Sequence, residues 1–287
     1  MKGVILAGGT GSRLYPLTKN INKHLLPVYN KPMIYYPLSV LMLSKIREVL
    51  IISTTDGIKN LKKLLHNGKD LGLKISYKIQ QKPRGIVDGI KSAGNFIKNQ
   101  NFCLILGDNI FYGENFSKIL KKYSKLRRGA TIFGYPVNNP ENFGVINFYK
   151  NNISSLEEKP KRPKSNYAVT GLYFFDQNAY NFCKKIKKSK RNEYEIIDLL
   201  KIYLKNKELK YELFGRGFAW LDAGSFENLS LANQYIESIE NRQLFKIGCL
   251  EEISYKNEWI SRSQFKNIIQ RLPNNDYKEY LQRIIFS

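Results

Sequence analysis

Apolar residues fall along this chain into short unbroken runs separated by stretches of mixed polarity. Val4-Ile5-Leu6 is the first run and residues 49–53 and 103–106 repeat it, while 75–79 and 130–135 read as strands of more mixed composition. Runs this short, without polar alternation, predict strands buried on both faces. Between them, residues 58–65 carry apolar positions at helical spacing, and 35–43 is a longer apolar segment. Strands separated by helical stretches predict an α/β fold, a Rossmann-like, mostly parallel mixed sheet flanked by helices. The second half adds expected strands at 145–148, 168–175 and 209–214, and helices at 195–204 and 226–242. Beyond Leu244, helical spacing returns at 264–271 and 277–284. No repeat or low-complexity linker interrupts the pattern. The expected organisation is one main domain over residues 1–240, with a small helical extension over 241–287 in the same compact unit.

Composition narrows the class. A chain of 287 residues with 43% hydrophobic residues can bury a large core. No run approaches the roughly 18 apolar residues of a membrane span, and the first run is too short for a signal peptide. Cys103, Cys183 and Cys249 lack any C-x-x-C spacing and read as reduced thiols, so the expected compartment is the cytoplasm. The net charge is +23. Nucleic-acid binding is one reading of such a charge. However, 12 of the 47 cations are Arg and 35 are Lys. Tyr123 is the one aromatic within the runs at 118–128 and 184–191, short of the interleaving that base stacking requires. A solvated Lys-rich surface is the preferred reading, with neither nucleic acid nor membrane as partner.

Chemistry concentrates at the start. After the first strand comes Gly8-Gly9-Thr10-Gly11-Ser12-Arg13, then Lys23 and Leu25-Leu26-Pro27. Three glycines let backbone N–H groups approach an anion closely, and Arg13 adds a bidentate cation suited to phosphate oxygens. The dinucleotide fingerprint fails because Leu14 stands where a third glycine is needed, and the G-K-[ST] of a P-loop is absent here. A second candidate is Asp108, directly after the apolar run 103–106. A hard carboxylate at a strand's carboxyl end suits Mg²⁺, although such an Asp is also a common turn former. Asp222 is a second carboxylate, far away in sequence.

Gly8, Gly9, Gly11, Arg13, Pro16, Thr18, Lys23, Leu25, Leu26 and Pro27 resemble the G-G-x-G-x-R-x-x-P-x-T…K…L-L-P pattern of the sugar-1-phosphate nucleotidyltransferases. Longer stretches narrow the resemblance to the glucose-1-phosphate thymidylyltransferase family: KPMIYYPLS (31–39), LGDNIFYG (106–113), SLEEKP (155–160), PKSNYAVTGLY (163–173) and GRGFAWLD (215–222). The resemblance implies the nucleotide-diphospho-sugar transferase fold. It also implies attack of glucose 1-phosphate on the α-phosphorus of dTTP, as the first step of dTDP-L-rhamnose or related deoxysugar synthesis. Leu6, Gly8, Gly9, Thr10, Gly11 and Arg13 would hold the nucleotide, with Arg13 neutralising the leaving pyrophosphate and Lys23 beside the attacked phosphate. Asp108 and Asp222 would hold Mg²⁺. Gln80 and Gly85 would meet the base. Ile86, Gly144, Glu158, Val169 and Tyr173 would shape the sugar site, with Lys159 on the sugar phosphate. A homotetramer is implied as well, with a second, regulatory site near Tyr112, Gly113, Arg216, Glu251 and Glu252.

Some positions depart from the family pattern. His24 replaces a Gln and is assigned no chemistry. Arg84, Val87 and Asp88 alter the P-D-G-L-A-Q-A stretch, Phe143 lacks the usual Tyr hydroxyl, and Glu114 replaces a frequent His. These changes leave open a different sugar 1-phosphate or UTP. A sugar-nucleotide-binding regulatory protein is a further alternative, opposed by retention of Arg13, Asp108, Lys159 and Asp222.

Overall fold

The computed structural model describes residues 1–286. The chain runs through β1 (Lys2–Ala7), β2 (Pro27–Val28), β3 (Lys31–Pro32), α1 (Tyr35–Leu43), β4 (Glu48–Ser53), α2 (Thr55–Leu65), β5 (Lys74–Ile79) and α3 (Ile86–Ala93). Next come β6 (Phe102–Leu106), β7 (Asn109–Tyr112), α4 (Phe116–Tyr123), β8 (Ala130–Pro136), β9 (Gly144–Tyr149), β10 (Asn152–Glu158) and β11 (Tyr167–Phe175). The last elements are α5 (Ala179–Lys185), α6 (Ile196–Lys205), β12 (Leu209–Leu213), β13 (Ala219–Asp222), α7 (Phe226–Arg242), α8 (Leu250–Lys256), α9 (Arg262–Arg271) and α10 (Asp276–Phe286).

The main sheet has the order β10-β9-β11-β6-β1-β4-β5, with β8 pairing β11 and β12 pairing β8. β1 lies between β6 and β4, parallel to both, and β4 is parallel to β5. β11 runs antiparallel to β6, β8 and β9, so the sheet is mixed. Val4, Ile5, Ile51 and Ile105 are fully buried, as unbroken apolar strands between helical layers must be. The strand order reverses between β1 and β6, and open α/β sheets bind ligands in the crevice outside the carboxyl ends at such a point. Leu6 stands opposite Leu106 across this pair, and Gly107 N–H donates to the Leu6 carbonyl at 2.9 Å. The loop after β1 and the turn after β6 therefore emerge side by side.

The helices follow their sequences. α1 is apolar all round because α8 and α4 pack against it as well as the strands, leaving no face for water. Thr54 caps α2 and Ser225 caps α7, each side chain accepting a backbone N–H of the first turn. Lys31 and Glu240 form an ion pair at 2.7 Å with both side chains 2% exposed, fastening α7 to the β2–β3 hairpin. At the far end, Cys249, Ile260, Phe265, Ile269, Tyr280 and Leu281 form a small core of their own. Ser254 and Asn257 tie that end to the main body through the carbonyls of Leu71 and Met42, at 2.8 and 3.0 Å. No helix among the described residues is long and apolar enough to cross a membrane.

Candidate active site

A cleft of about 440 Å³ opens at the carboxyl ends of β1 and β6. Arg13, Gly85, Ile86, Asp108, Gly144, Glu158, Lys159, Val169, Tyr173 and Asp222 line it, all expected from sequence. Leu6, Gly8, Gly9, Thr10, Gly11, Lys23 and Gln80 are not among its lining residues; Leu6 is in β1, the glycines and Thr10 form the loop after it, Lys23 pairs with Asp108, and Gln80 follows β5. A Cβ on Gly9 would fall 3.9 Å from Lys23 Nζ, and one on Gly8 would fall 3.2 Å from Gln80 Oε1.

Two antiparallel pairings carry the chemistry inward. β13 pairs β7 with Asp222 opposite Asn109, and Ala223 N–H donates to the Asp108 carbonyl at 3.0 Å. This ribbon sets Asp222 beside Asp108 although 113 residues lie between them. β9 and β10 form a hairpin with Glu158 opposite Gly144, and Lys159 N–H donates to the Phe143 carbonyl at 3.0 Å. The hairpin thus delivers Glu158 and Lys159 together.

Charge is concentrated and matched. Lys23 Nζ pairs with Asp108 Oδ2. Asn109 Nδ2 donates to Asp108 Oδ1 at 3.0 Å. Burial disfavours the Asp108 anion, but the Lys23 charge, His24 and the hydrogen bonds from Lys23 and Asn109 together outweigh burial and hold this carboxyl well below the usual range. Asp222 behaves oppositely. Burial and then the neighbouring Asp108 charge push it up from 3.8 to about 6, against Lys23, Arg13 and Lys159. A Cβ on Gly224 would fall 2.6 Å from the Arg13 guanidinium and 3.0 Å from Asp222 Oδ1, which places Arg13 against Asp222. Glu158 is raised by burial and then by Glu195, with Lys159 and Arg191 opposing.

Other side chains support this centre. Asn109 Oδ1 accepts from Trp220 Nε1 at 2.7 Å and from Gly171 N–H at 3.0 Å, binding β7 to β13 and β11. Arg191 donates to Glu158 at 3.2 Å and to Glu193 at 2.9 Å. The sequence reading missed both Asn109 and Arg191. LGDN pointed to Asn109 only as the neighbour of Asp108, and Arg191 was one cation in a Lys-rich run. Ser225, Glu227 and Asn228, at the start of α7, also line the cleft and were missed. His24 is 2% exposed, shares hydrogen bonds with Asn22 and packs on Gly107. Burial, then the Lys23 charge, lower it from 6.5 to about 3, so it is neutral and structural.

The altered positions separate in space. Phe143 lines the cleft, packing against Trp220 with ring centroids 5.2 Å apart. Val87 is fully buried in the core, while Arg84 and Asp88 pair with each other beside Gln80. The five residues of the expected second site are also divided. Tyr112, Gly113 and Glu252 share a hollow of about 360 Å³ between β7, α4 and α8. Glu251 lies instead in a pocket with Tyr35 and Arg271, accepting from the Tyr277 hydroxyl at 2.6 Å. Arg216 stands in an exposed turn, and Phe218 of the same turn packs over Gly113.

A glycine loop at a switch point, paired carboxylates and three cations directed at one cleft define an enzyme that handles phosphate esters at a nucleotide site. The chain belongs to the nucleotidyl transferase family, whose model matches residues 2–239. It is 49% identical to a Neisseria meningitidis protein named glucose-1-phosphate thymidylyltransferase, over 286 residues and 99% of both chains. A Mycobacterium tuberculosis protein of the same name is 43% identical over 286 residues, again 99% of both. Among solved structures, a Bacillus anthracis protein provisionally assigned the same activity and bound to sucrose is 40% identical, with TM-score 0.76. That match covers 82% of this chain and 94% of the other. A UDP-glucose pyrophosphorylase bound to UDP-glucose, 24% identical with TM-score 0.73, supports the fold alone; it covers 84% of this chain and 99% of that one. Enzymes of this family generally work with a divalent metal.

Proposed function

We propose that this chain transfers a thymidylyl group from dTTP to α-D-glucose 1-phosphate, giving dTDP-glucose and pyrophosphate. The observation that carries the reading is the convergence of Asp108, Asp222, Arg13, Lys23 and Lys159 at the cleft, continuous with Glu158. An oxygen of the sugar phosphate attacks the α-phosphorus, and the bond from that phosphorus to the pyrophosphate oxygen breaks. This reaction needs alignment and charge neutralisation more than covalent help. Leu6 and the 8–11 loop hold the nucleotide, and Arg13 takes the charge of the departing pyrophosphate. Lys23, fixed by Asp108, faces the attacked phosphate. Gln80 and Gly85 meet the base. Lys159 holds the attacking phosphate, while Glu158 accepts from sugar hydroxyls between Ile86, Gly144, Val169 and Tyr173.

The donor set suits Mg²⁺. Asp108 and Asp222 are hard oxygen ligands crowded close enough that one resists ionisation, which a divalent cation between them relieves. No group of three or more His, Cys, Asp or Glu side chains suited to a metal occurs among the described residues. Mg²⁺ commonly takes one or two carboxylates and completes its shell with water and substrate phosphates. When bound, it supplies charge neutralisation to the phosphate oxygens.

Pyrophosphate release over a grid of nucleoside triphosphates and sugar 1-phosphates tests the reading. The dTTP and glucose 1-phosphate pair should turn over fastest, and absence of turnover across the grid overturns the activity. Phe143 favours a second reading in which the same chemistry accepts another sugar, because it brings no hydroxyl to the cleft wall. Residues 1–240 are read as the catalytic unit and 241–287 as its extension, in a cytoplasmic homotetramer that feeds dTDP-L-rhamnose or a related deoxysugar. The hollow beside Tyr112, Gly113 and Glu252, with Arg216 nearby, is read as a regulatory site.

A further inference from the structure

Gln80 follows β5 and lies beside Gly8 of the loop after β1. Its backbone N–H donates to the Ser53 carbonyl at 2.8 Å, which fixes it beside the end of β4. Its side-chain Nε2 donates to Asp88 Oδ2 at 2.6 Å. Gln80 and Asp88 are both buried, 8% and 7% exposed. A terminal amide has two orientations of similar intrinsic energy, which exchange its oxygen and nitrogen. A carboxylate accepts hydrogen bonds and donates none, so Asp88 admits only the orientation with nitrogen inward. The carbonyl oxygen then points toward Gly8. Among the described residues that oxygen accepts no hydrogen bond.

Two features place positive potential beside Asp88. It lies in the first turn of α3, where the helix dipole favours an anion. The Arg84 guanidinium reaches its other oxygen at 3.4 Å. An amide at position 88 could donate as well as accept, leaving the Gln80 amide free to turn.

We propose that Asp88 is a positioning residue that sets base specificity by locking the Gln80 amide with its carbonyl oxygen toward the nucleotide. This rests on the nucleotidyl-transfer reading above and on Gln80 meeting the base. A base whose ring nitrogen carries a proton on that edge satisfies the oxygen. Thymine and uracil have such an N3–H. Cytosine has a bare N3 and meets it acceptor to acceptor, which is unfavourable in a buried site.

The test compares dTTP, UTP and dCTP as substrates of the wild type and of Asp88→Asn. Asn fills the same volume and can satisfy Gln80 in either orientation. The dTTP-to-dCTP ratio of kcat/KM should fall about five- to tenfold, mainly through the nucleotide KM, with UTP tracking dTTP. The KM for glucose 1-phosphate should hold. The ratio does not depend on the folded fraction of a preparation. In a Gln80→Leu background, Asp88→Asn should no longer move it. An unchanged ratio in Asp88→Asn, or the same change with Gln80 already replaced, overturns the role of Asp88. A wild type that prefers neither dTTP nor UTP over dCTP overturns the nucleotide reading itself, and the inference with it.

Discussion

Gly11→Ala tests whether the loop after β1 is built around a glycine or merely contains one. Gly11 has φ of +67°, in the left-handed region. Alanine there costs about 1–2 kcal/mol. Space is also short, because an added Cβ would lie 2.7 Å from Thr18 Cγ2, 3.1 Å from Thr18 Cβ and 3.3 Å from Lys23 Cβ. Thr18 cannot simply rotate away, since its hydroxyl donates to the Gly11 carbonyl at 2.8 Å. Overpacking of this kind adds about 1–3 kcal/mol, for a total of about 2–5 kcal/mol. Thermal denaturation should show Tm lower by about 5–15 °C. Turnover should fall as well, because the crowded Lys23 is the partner of Asp108. Thr18→Ser supplies the discriminating control. It keeps the hydroxyl and removes the methyl group in conflict. Added to Gly11→Ala, it should recover the overpacking share of stability and leave the backbone share lost. A Gly11→Ala Tm within roughly 1 °C of wild type, or no recovery from Thr18→Ser, refutes the reasoning.

Asp108→Asn and Asp222→Asn should each lower Mg²⁺-dependent turnover at least about tenfold, worth about 1.4 kcal/mol of barrier, with far-UV circular dichroism unchanged. Because a proton on metal-free Asp222 competes with the cation, the Mg²⁺ concentration for half-maximal turnover should rise below about pH 6 in the wild type. A near-normal Asn variant removes that residue from the metal site. His24 predicts an acid-sensitive fold. Unfolded, its imidazole is protonated below 6.5, whereas folded it resists protonation until about 3. Its neutral burial therefore costs nothing above pH 6.5 and destabilises progressively as pH falls, by about 3 kcal/mol at pH 4. Urea unfolding of His24→Gln should show that part of the acid loss removed, and parallel curves for the two proteins would exclude it. Phe143→Tyr alone should raise the glucose-over-galactose 1-phosphate ratio, because of the altered positions it is the one that lines the cleft. An unchanged ratio makes Phe143 neutral. Light scattering at about 0.15 M salt, where charge repulsion is screened beyond about 8 Å, should give a tetramer. Arg216→Ala should weaken inhibition by a dTDP-sugar. A monomer defeats the assembly, and inhibition unchanged by Arg216→Ala defeats the second site.

The buried strands were legible because their pattern is the pattern of their burial. Val4-Ile5-Leu6 and residues 103–106 can be satisfied only between two covered faces, and β1 and β6 lie there. The ribbon of β7 and β13 was not legible. Its strands are four residues each, end in polar groups and take their identity from each other rather than from a run of their own. α3, α4, α5 and α8 are seven or eight residues long, about two turns each, too short for a helical period to stand out from the local composition. Within the site, glycine, carboxylate and lysine positions carried their chemistry in local motifs. Asn109 and Arg191 did not, because their importance lies in partners distant along the chain, Gly171 and Trp220 for one and Glu158 for the other.

The pairing of Asp222 with Asn109 across that ribbon has a bearing on how the molecule becomes competent. Side chains alternate faces along a strand, so a slip of one residue would turn Asp222 away from Asp108 while leaving most of the main sheet undisturbed. A chain could therefore be compact, helical and soluble yet unable to grip a divalent ion. Were Asp108 and Asp222 to hold a cation as proposed, binding confined to the properly paired form would draw the population toward it by mass action. Magnesium in the growth or refolding medium would act on this protein as an inspector of the last step of folding, retaining those molecules in which two remote ends of one short ribbon have met in step.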